Sequence, residues 1–320
     1  MSNLSSILSF FLLISIFSFS RTKRPIIGIY GNPYPIEDYE KNNADVIVGA
    51  YVRWIESFGA EVVAIHQWYT TEELDTLLSK INGVLFQGGN RIFNPNAPWE
   101  KNGLHIINYS ISTGLPLWGT CMGFEFICDF VAGENVLESY EDKSFLHGAI
   151  PTETTKTCRM FSQFTDNDHE IYEKSNSTIY FHVQGVSPEE FNKREKLTSL
   201  FDITSLGKDK NGKVFVNSIE SKEHNIFATQ YHPEKNPYIR QDSYELEHTI
   251  DSLRMSHKIG LGFIYQAMIN NNFMIYQERL QYDFINKNGK VTEDRYDKNS
   301  NSYYFSKKTL NINHKDKNKY

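Results

Sequence analysis

Between residues 26 and 119, short apolar runs alternate with segments in which apolar residues recur at helical spacing. The runs are nearly continuous, which is typical of strands that are buried on both faces of a sheet. We predict strands at Ile26–Tyr30, Glu61–His66, Val84–Phe86 and Leu115–Gly119. Repeated strand and helix order favours a mostly parallel sheet covered on both sides, and the pattern therefore predicts an α/β fold.

The segments between these strands carry helix signals. Between Ala44 and Phe58 the apolar residues follow an i, i+3, i+4, i+7 pattern, and Gly59 stands where a helix C-cap belongs. Thr70 and Glu73 have the spacing of a capping box, which opens a helix that runs to residue 80. Further helices are predicted at 104–112 and 122–131.

The second half of the chain is less regular, and fewer helices separate its predicted strands, so we expect antiparallel additions to the sheet. These strands are predicted at 178–183, 213–218 and 226–231. A long helix is expected over 243–270, with a potential break near Gly260 and Gly262. Its apolar face is predicted to include Leu246, Ile250, Leu253 and Met255. From residue 286 to 320, Lys, Asn, Asp and Ser dominate, which predicts a poorly packed polar tail.

The N-terminal segment has the pattern of an export signal. Its first 20 residues carry no charge, and the apolar run from Ile7 to Phe19 is too short to span a bilayer comfortably. Ser18 and Ser20 occupy the −3 and −1 positions of a cleavage site before Arg21, and an uncleaved anchor is the alternative. Nothing later in the chain is a transmembrane candidate. In an exported protein, two sequons become glycosylation candidates, at Asn108 and Asn176.

Charge and cysteine content exclude several classes of protein. The chain has 320 residues, with 33 Lys and Arg against 39 Asp and Glu, and a net charge of −6 gives no general attraction to nucleic acid or anionic membranes. Three cysteines are too few for a disulfide scaffold. A Cys128–Cys158 disulfide is conceivable in an exported protein, although spacing does not establish it.

The most informative segment is Gly119-Thr-Cys121-Met-Gly123, directly after a predicted strand. This is the pattern of a nucleophile elbow, in which a sharp turn presents the nucleophile above the sheet and glycines avoid collisions with neighbouring backbone. The N-terminus of the following helix favours a thiolate, and the Met122 N–H is placed to stabilise an oxyanion. A second donor is expected from the turn at Gly88 and Gly89. The alternative is that Cys121 is simply a small buried residue.

A cysteine nucleophile needs a base, and His232 is the best placed of the ten histidines. It follows the strand predicted at 226–231, so it projects from the carboxyl end of the sheet, where open α/β folds place their sites. Glu234 is positioned to orient the imidazole, as the third member of a triad does. The alternative is a His-Pro-Glu surface turn.

In chain order, the motifs RPIIGIYGNP, FQGG, WGTCMGFE and QYHPEKN resemble those of the γ-glutamyl hydrolase family, from Arg24 to about Asn272. That family lies within the class I glutamine amidotransferase-like fold. The resemblance implies a flavodoxin-like three-layer sandwich with a central, mostly parallel sheet. Together with the composition of its two ends, the resemblance divides the chain into a signal peptide at 1–20, a catalytic domain at 21–285 and a flexible tail at 286–320.

The resemblance also implies a function. Such a protein would be a secreted or lysosomal/vacuolar cysteine peptidase that cleaves γ-glutamyl bonds in folylpoly-γ-glutamates, with no metal or organic cofactor. Cys121 matches the family nucleophile, His232 the general acid/base and Glu234 its carboxylate partner. His182 and Glu125 match residues near the substrate. For His182 the following Gln-Gly-Val departs from the usual pattern, and a histidine ending a strand is the alternative. For Glu125 the alternative is that it is simply a carboxylate at a helix N-terminus.

The expected substrate is strongly anionic, so cations should line the groove, and Lys235 is a candidate by position. We expect no nucleic-acid partner and no membrane association after signal removal, and a homodimer remains open. Two other functions are retained as alternatives. One is a glutaminase domain that passes ammonia to a synthase, and the other is a binding protein without catalytic activity.

Overall fold

An eight-stranded sheet forms the centre of the protein. It is seen in a computed structural model that describes residues 24–33, 44–239, 248–288, 290–293 and 301–307. The strands in spatial order are β4 (Glu61–Ile65), β1 (Ile26–Tyr30), β5 (Gly83–Phe86), β6 (Leu117–Thr120), β12 (Ile226–Thr229), β11 (Val214–Ser221), β10 (Phe201–Lys208) and β8 (Ile150–Pro151). The first five pair in parallel and the remainder antiparallel, as the sequence predicts.

Helices cover both faces of this sheet. In chain order they are α1 (Gly49–Glu56), α2 (Thr71–Leu78), α3 (Pro98–Thr113), α4 (Met122–Ala132), α5 (Asp166–Lys174), α6 (Pro188–Lys193), α7 (Glu195–Leu200), α8 (Lys235–Tyr238), α9 (Ile250–Ile269), α10 (Tyr276–Arg279) and α11 (Ile285–Asn288). Successive side chains of a strand point to opposite faces, so Ile26 packs with α2, α3 and α4, whereas Ile27 packs with α1 and α9. The predicted three-layer α/β fold is confirmed.

Two smaller sheets flank the central one. The first contains β13 (Lys290–Glu293), β14 (Asn301–Ser306), β3 (Ala44–Val48) and β2 (Asn32–Pro33), and the second pairs β7 (Glu138–His147) with β9 (Thr178–Gly185). The predicted signal at 1–20 and its cleavage site lie outside the described residues. None of the helices in the described ranges is both long and apolar enough to cross a membrane.

The single helix predicted over residues 44–58 is wrong in its first third. Ala44–Val48 forms β3, and α1 begins only at Gly49. The β-branched residues Val46, Ile47 and Val48 fit both an amphipathic helix and a strand by spacing, and pairing with β14 and β2 decides for the strand. The capping box of Thr70 with Glu73 is confirmed by its two reciprocal hydrogen bonds.

The part of the predicted polar tail that the structure describes is not loose. β14 pairs with β3 over five residue pairs, and the Phe305 side chain is only 2% exposed in the core beneath α1 and α9. The expectation failed because it weighed aliphatic content, whereas β14 is anchored by aromatic side chains, of which Tyr303 and Phe305 pack against the core.

The long C-terminal helix is shorter and more continuous than expected. α9 runs without interruption through Gly260 and Gly262. A Cβ at Gly260 would lie 2.4 Å from the Phe58 ring, and one at Gly262 would lie 2.3 Å from the Met160 carbonyl oxygen. These glycines therefore permit close packing. Of the predicted apolar face, Met255 is buried, Ile250 and Leu253 are exposed, and Leu246 lies outside the described residues.

The three cysteines are free thiols. Cys128 is buried in the core on the α2, α3 and α4 side, whereas Cys158 packs against the core on the opposite side of the sheet. The Cys128–Cys158 disulfide considered from the sequence is therefore not formed.

Phe305→Ala tests whether β14 is integral to the fold. Because the ring is buried, we expect a loss of about 3–5 kcal/mol in the free energy of unfolding, measured by urea denaturation. Tyr276→Ala is the matched control, since that ring is 66% exposed and should change stability by less than about 0.5 kcal/mol. Equal, small effects for both variants would contradict the packed arrangement.

Candidate active site

Cys121 occupies a strained turn between β6 and α4. Its φ is 52°, and among the described residues no other non-glycine residue has a positive φ. A Cβ at Gly123 would lie 2.4 Å from the Phe86 carbonyl oxygen, and one at Gly119 would lie 2.8 Å from the Gly123 carbonyl oxygen. The two glycines are therefore required by backbone contacts, as the nucleophile-elbow pattern predicts.

Sheet pairing brings Cys121 and His232 together. β6 and β12 are parallel neighbours with Thr120 opposite Thr229, and the Cys121 N–H donates to the Thr229 carbonyl at 2.8 Å. His232 follows three residues later. Both side chains lie beside Gly88, where an added Cβ would be 2.8 Å from His232 Cε1 and 3.4 Å from Cys121 Cβ. The nucleophile and base candidates therefore lie in the same neighbourhood, next to Gly88.

Glu234 fixes the protonation pattern of His232. The two side chains are buried, and His232 Nδ1 lies 2.8 Å from Glu234 Oε1. A carboxylate accepts, so Nδ1 carries the proton and the Nε2 lone pair remains available. Nε2 is buried and has no hydrogen-bond partner in the described part of the chain. Burial also lowers the pKa of the imidazole, which keeps it neutral and able to act as a base.

Tyr51 is part of the site although sequence reasoning counted it only as an apolar helix position. Its hydroxyl accepts a hydrogen bond from the Gly88 N–H at 2.8 Å and lies 3.3 Å from His232 Nδ1. Burial, and then the charge of Glu234, raises the pKa of this phenol well above its usual value, so it stays protonated. No spacing rule separates such a tyrosine from a core residue on the same helix face.

The structure differs from expectation for one of the oxyanion donors. The Gly88 N–H is engaged by Tyr51, so it does not stand open beside the sulfur. Gly89 lies against the Met122 side chain, since a Cβ at Gly89 would be 3.0 Å from it. The backbone N–H of Met122 interacts with the Cys121 sulfur and lowers its pKa.

The Gly88–Gly89 turn is held from both sides. The Asn32 side-chain amide donates to the Gly88 carbonyl at 2.9 Å. The side chain of Gln87 accepts from the Val48 N–H at 3.0 Å and donates to the Val46 carbonyl at 2.9 Å. Asn32 and Gln87 are buried and were not singled out by the sequence, because isolated amides carry no periodic or spacing signal.

Burial favours the thiol form of Cys121 in the resting site and opposes the thiolate that the helix N-terminus favours. Burial raises its pKa well above the usual value, and the charge of Glu125 adds to the increase. Lys235 and the Met122 N–H oppose this shift without reversing it. Lys235 thus lies close enough to act on the sulfur, and its ammonium also sits 4.7 Å from the Phe181 ring centre.

A second group of buried polar residues adjoins the nucleophile. Glu125, on the first turn of α4, accepts a hydrogen bond from the Gln230 side-chain amide at 2.9 Å. Burial raises the pKa of Glu125 to about 7, and the charge of nearby His182 partly opposes the rise. His182 lies within β9, where its Nδ1 donates to the Gln184 carbonyl at 2.7 Å. Gln230 is a member of this group that sequence reasoning missed.

The Oε1 atom of Gln230 is buried without a hydrogen-bond partner in the described ranges, and so is Oε2 of Glu234. Among the described residues, no set of three or more His, Cys, Asp or Glu side chains is arranged to hold a metal ion.

Comparison of the sequence with known proteins assigns the chain to a family. The family described as Glutamine amidotransferase class-I matches residues 41–249. Gamma-glutamyl hydrolase of Rattus norvegicus is 31% identical over 261 residues, covering 78% of this chain and 80% of the rat protein. The chain belongs to the γ-glutamyl hydrolase family. Gamma-glutamyl hydrolase B of Dictyostelium discoideum is 28% identical over 260 residues, which cover 78% of this chain and 73% of that protein. The resemblance stated from the motifs is therefore confirmed.

Both sequon asparagines of this γ-glutamyl hydrolase family member are exposed. Asn108 lies on α3, and Asn176 lies between α5 and β9. Glycosylation at either position stays a prediction.

The resting protonation state of Cys121 is testable by alkylation. We expect the rate with iodoacetamide to be low near neutral pH and to rise through the alkaline range, because burial stabilises the thiol. Mass spectrometry of the Cys121 peptide gives the rate, and the Cys128 peptide, from a buried core residue, serves as an internal control. A pH-independent plateau below about pH 7 would instead reveal a thiolate–imidazolium pair.

Proposed function

We propose that this protein hydrolyses γ-glutamyl amide bonds of folylpoly-γ-glutamates through a thioester on Cys121. The observation that carries the proposal is the buried Cys121, His232 and Glu234 arrangement, in which Cys121 and His232 both lie beside Gly88 and His232 Nε2 has no hydrogen-bond partner among the described residues. The names of the curated relatives support γ-glutamyl bonds as the target.

In the acylation half, the Cys121 sulfur attacks the γ-carbonyl carbon while its proton passes to His232 Nε2. The carbonyl oxygen becomes an oxyanion, and the N–H groups of Met122 and Gly89 donate to it. The imidazolium then protonates the amide nitrogen, the C–N bond breaks and the shortened glutamate chain leaves. The γ-glutamyl group remains on sulfur as a thioester.

In the deacylation half, His232 Nε2 takes a proton from water as the oxygen attacks the thioester carbon. The C–S bond breaks, and His232 returns the proton to the sulfur, which releases a γ-carboxyl product. Glu234 stabilises the imidazolium in both halves. Because the positive charge on His232 forms only transiently, its low resting pKa and the buried carboxylate are complementary.

The buried group of Glu125, Gln230 and His182 is proposed to bind the glutamyl residue that is being transferred. A free α-carboxylate is the group in that residue that needs polar partners. Glu125 can donate a hydrogen bond to it only when protonated, which its pKa of about 7 permits in mildly acidic solution. Among the proposed destinations of the protein, this requirement fits a lysosomal or vacuolar lumen.

Cys121→Ala tests the proposal with pteroylpentaglutamate as substrate. We expect the release of shorter folates to fall by at least about a thousandfold, because covalent catalysis is lost, while the folded state persists by circular dichroism. Cys158→Ala is the matched control and should retain activity, since that thiol packs against the core that contains α1 and α9 and is not part of the proposed catalytic group.

Other outcomes of this experiment point elsewhere. Hydrolysis of free glutamine without folate cleavage would indicate an amidotransferase-type glutaminase. Folate binding without turnover in the unsubstituted protein would indicate a binding homologue.

The protonation of Glu125 predicts a pH dependence. Its raised pKa makes it neutral below about pH 7 and anionic above, where it repels the substrate carboxylate, so KM should rise through this range. Glu125→Gln keeps a neutral hydrogen-bonding side chain and should flatten the KM profile with a smaller change in kcat. A KM that rises identically in both proteins would contradict this role.

A further inference from the structure

The imidazole of His66, directly after β4, lies between two carboxylates. Its Nδ1 is 2.9 Å from Asp45 Oδ2, and its Nε2 is 3.1 Å from Asp283 Oδ2. The side chains of His66 and Asp45 are fully buried, and that of Asp283 is 9% exposed. We call these three residues the His66 centre. The mechanism proposed above uses none of them.

The two contacts of the imidazole require a proton in each of them. A neutral imidazole donates from one ring nitrogen only, and an ionised carboxylate only accepts. The His66 centre is therefore an imidazolium between two carboxylates, or its tautomer with one proton on Asp45, and it holds one proton more than a neutral histidine would supply. Burial lowers the pKa of His66, but the hydrogen bonds and charges of Asp283 and Asp45 outweigh burial and raise that pKa above its ordinary value. Burial also raises the pKa of Asp45.

The phenols that surround the centre stay neutral. Burial, and then the charge of Asp283, raises the pKa of Tyr69 well above its usual value, and burial followed by the charge of Asp45 does the same for Tyr30 on β1. Burial also raises the pKa of Tyr282, which precedes Asp283 in the chain. The extra proton therefore belongs to the histidine and its two carboxylates.

Uncharged rings cover the imidazole. The Trp68 ring stacks on it with a centroid distance of 4.4 Å, and the Phe305 ring of β14 lies edge-on at 5.2 Å. The lysines of the adjoining elements, Lys287 on α11 and Lys307 after β14, are exposed at the surface. The centre is thus enclosed in a low-dielectric environment, where an unpaired charge is costly.

The centre joins parts of the chain that are distant in sequence. Asp45 belongs to β3, whereas Asp283 precedes α11. The Asp283 carbonyl accepts a hydrogen bond from the Ala64 N–H at 3.0 Å, and Phe284 forms a bridge with Val63. Residues 283–288 and β14, which we call the C-terminal segment, are therefore attached beside β4, the edge strand of the central sheet.

Only one residue separates the centre from the strand atoms that hold the catalytic turn. Asp45 lies opposite Phe305 in the pairing of β3 with β14. The carbonyl of the next residue, Val46, accepts a hydrogen bond from the Gln87 side chain at 2.9 Å. Gln87 precedes Gly88, beside which Cys121 lies.

We propose that the His66 centre is a pH-dependent switch that holds the C-terminal segment on the edge of the central sheet. Loss of its extra proton leaves one buried carboxylate facing an imidazole lone pair without a donor between them, so the two groups repel. The segment then separates from β4, and β3 loses the contact that fixes it beside Gln87. The consequence for catalysis rests on the proposed function, because this turn affects activity only if Cys121 reacts beside it.

Hydrogen–deuterium exchange tests the switch without any substrate. Because the pKa of His66 is higher in the folded protein than in an exposed histidine, the stabilisation is complete below about pH 6.5 and is lost as the pH rises through the raised pKa. We expect the protection factors of peptides from residues 283–288 and β14, corrected for intrinsic exchange, to fall about 10-fold between pH 6 and pH 9. Those of a peptide from β6 should stay constant.

Asp283→Asn should remove this pH dependence, because the amide can donate to an unprotonated Nε2 and accept from a protonated one. Asp75→Asn is the matched control. It removes a carboxylate 2.6 Å from the exposed His105 and should keep the 10-fold fall. His66→Gln covers the case that Asp283→Asn fails to fold, and it should also give protection that is independent of pH. Constant protection in the unsubstituted protein, or the same fall in Asp283→Asn or His66→Gln, would overturn the switch.

Activity gives the second test, with pteroylpentaglutamate as substrate. Glu125→Gln serves as the background, since Glu125 titrates in the same range. Relative to the double variant with Asp283→Asn, kcat of this protein should fall about 10-fold between pH 6 and pH 9. A constant ratio would overturn the link between the switch and the catalytic turn. Absence of cleavage by the unsubstituted protein at every pH would refute the proposed function, whereas the exchange experiment would still decide on the switch.

Discussion

The parallel pairing of β6 with β12 is the constraint on which the site depends. The two strands are separated by more than a hundred residues in sequence, yet Thr120 lies opposite Thr229 and the Cys121 N–H bonds the Thr229 carbonyl. Each strand ends at this edge, so the chain must turn there in both cases. One turn presents Cys121 and the other presents His232. β12 is also the last parallel strand, and everything beyond it in the sheet runs antiparallel.

Burial favours the neutral form of three titratable groups in the centre. It raises the pKa of Cys121 and Glu125 and lowers that of His232, so each of these groups is shifted toward its neutral form. Groups in such a low-dielectric site become charged only during a reaction. Under the proposed mechanism, the N–H donors and Glu234 would stabilise the charged intermediate, and the helix N-terminus at Met122 would act mainly on that intermediate rather than on the resting thiol.

The sequence was informative where a local rule has one structural solution. Gly119 and Gly123 around Cys121 predicted the turn because a Cβ at either glycine would collide with backbone, and the Thr70–Glu73 capping box predicted its helix. The sequence was uninformative where contacts with residues distant in sequence determine the local structure. Val46 and its neighbours form a strand only because β14 pairs with them, and Tyr51 reaches the site only through packing of α1 against the sheet.

The C-terminal strand bears on the catalytic turn through a continuous set of contacts. β14 pairs with β3, and the β3 backbone at Val46 and Val48 holds the side chain of Gln87. The next residue is Gly88, whose N–H is fixed by Tyr51 and which lies beside Cys121 and His232. In the proposed mechanism, this turn supplies an oxyanion donor at Gly89, and such a donor tolerates little movement. The small sheet thus contributes to positioning the site, although none of its strands supplies a reacting group.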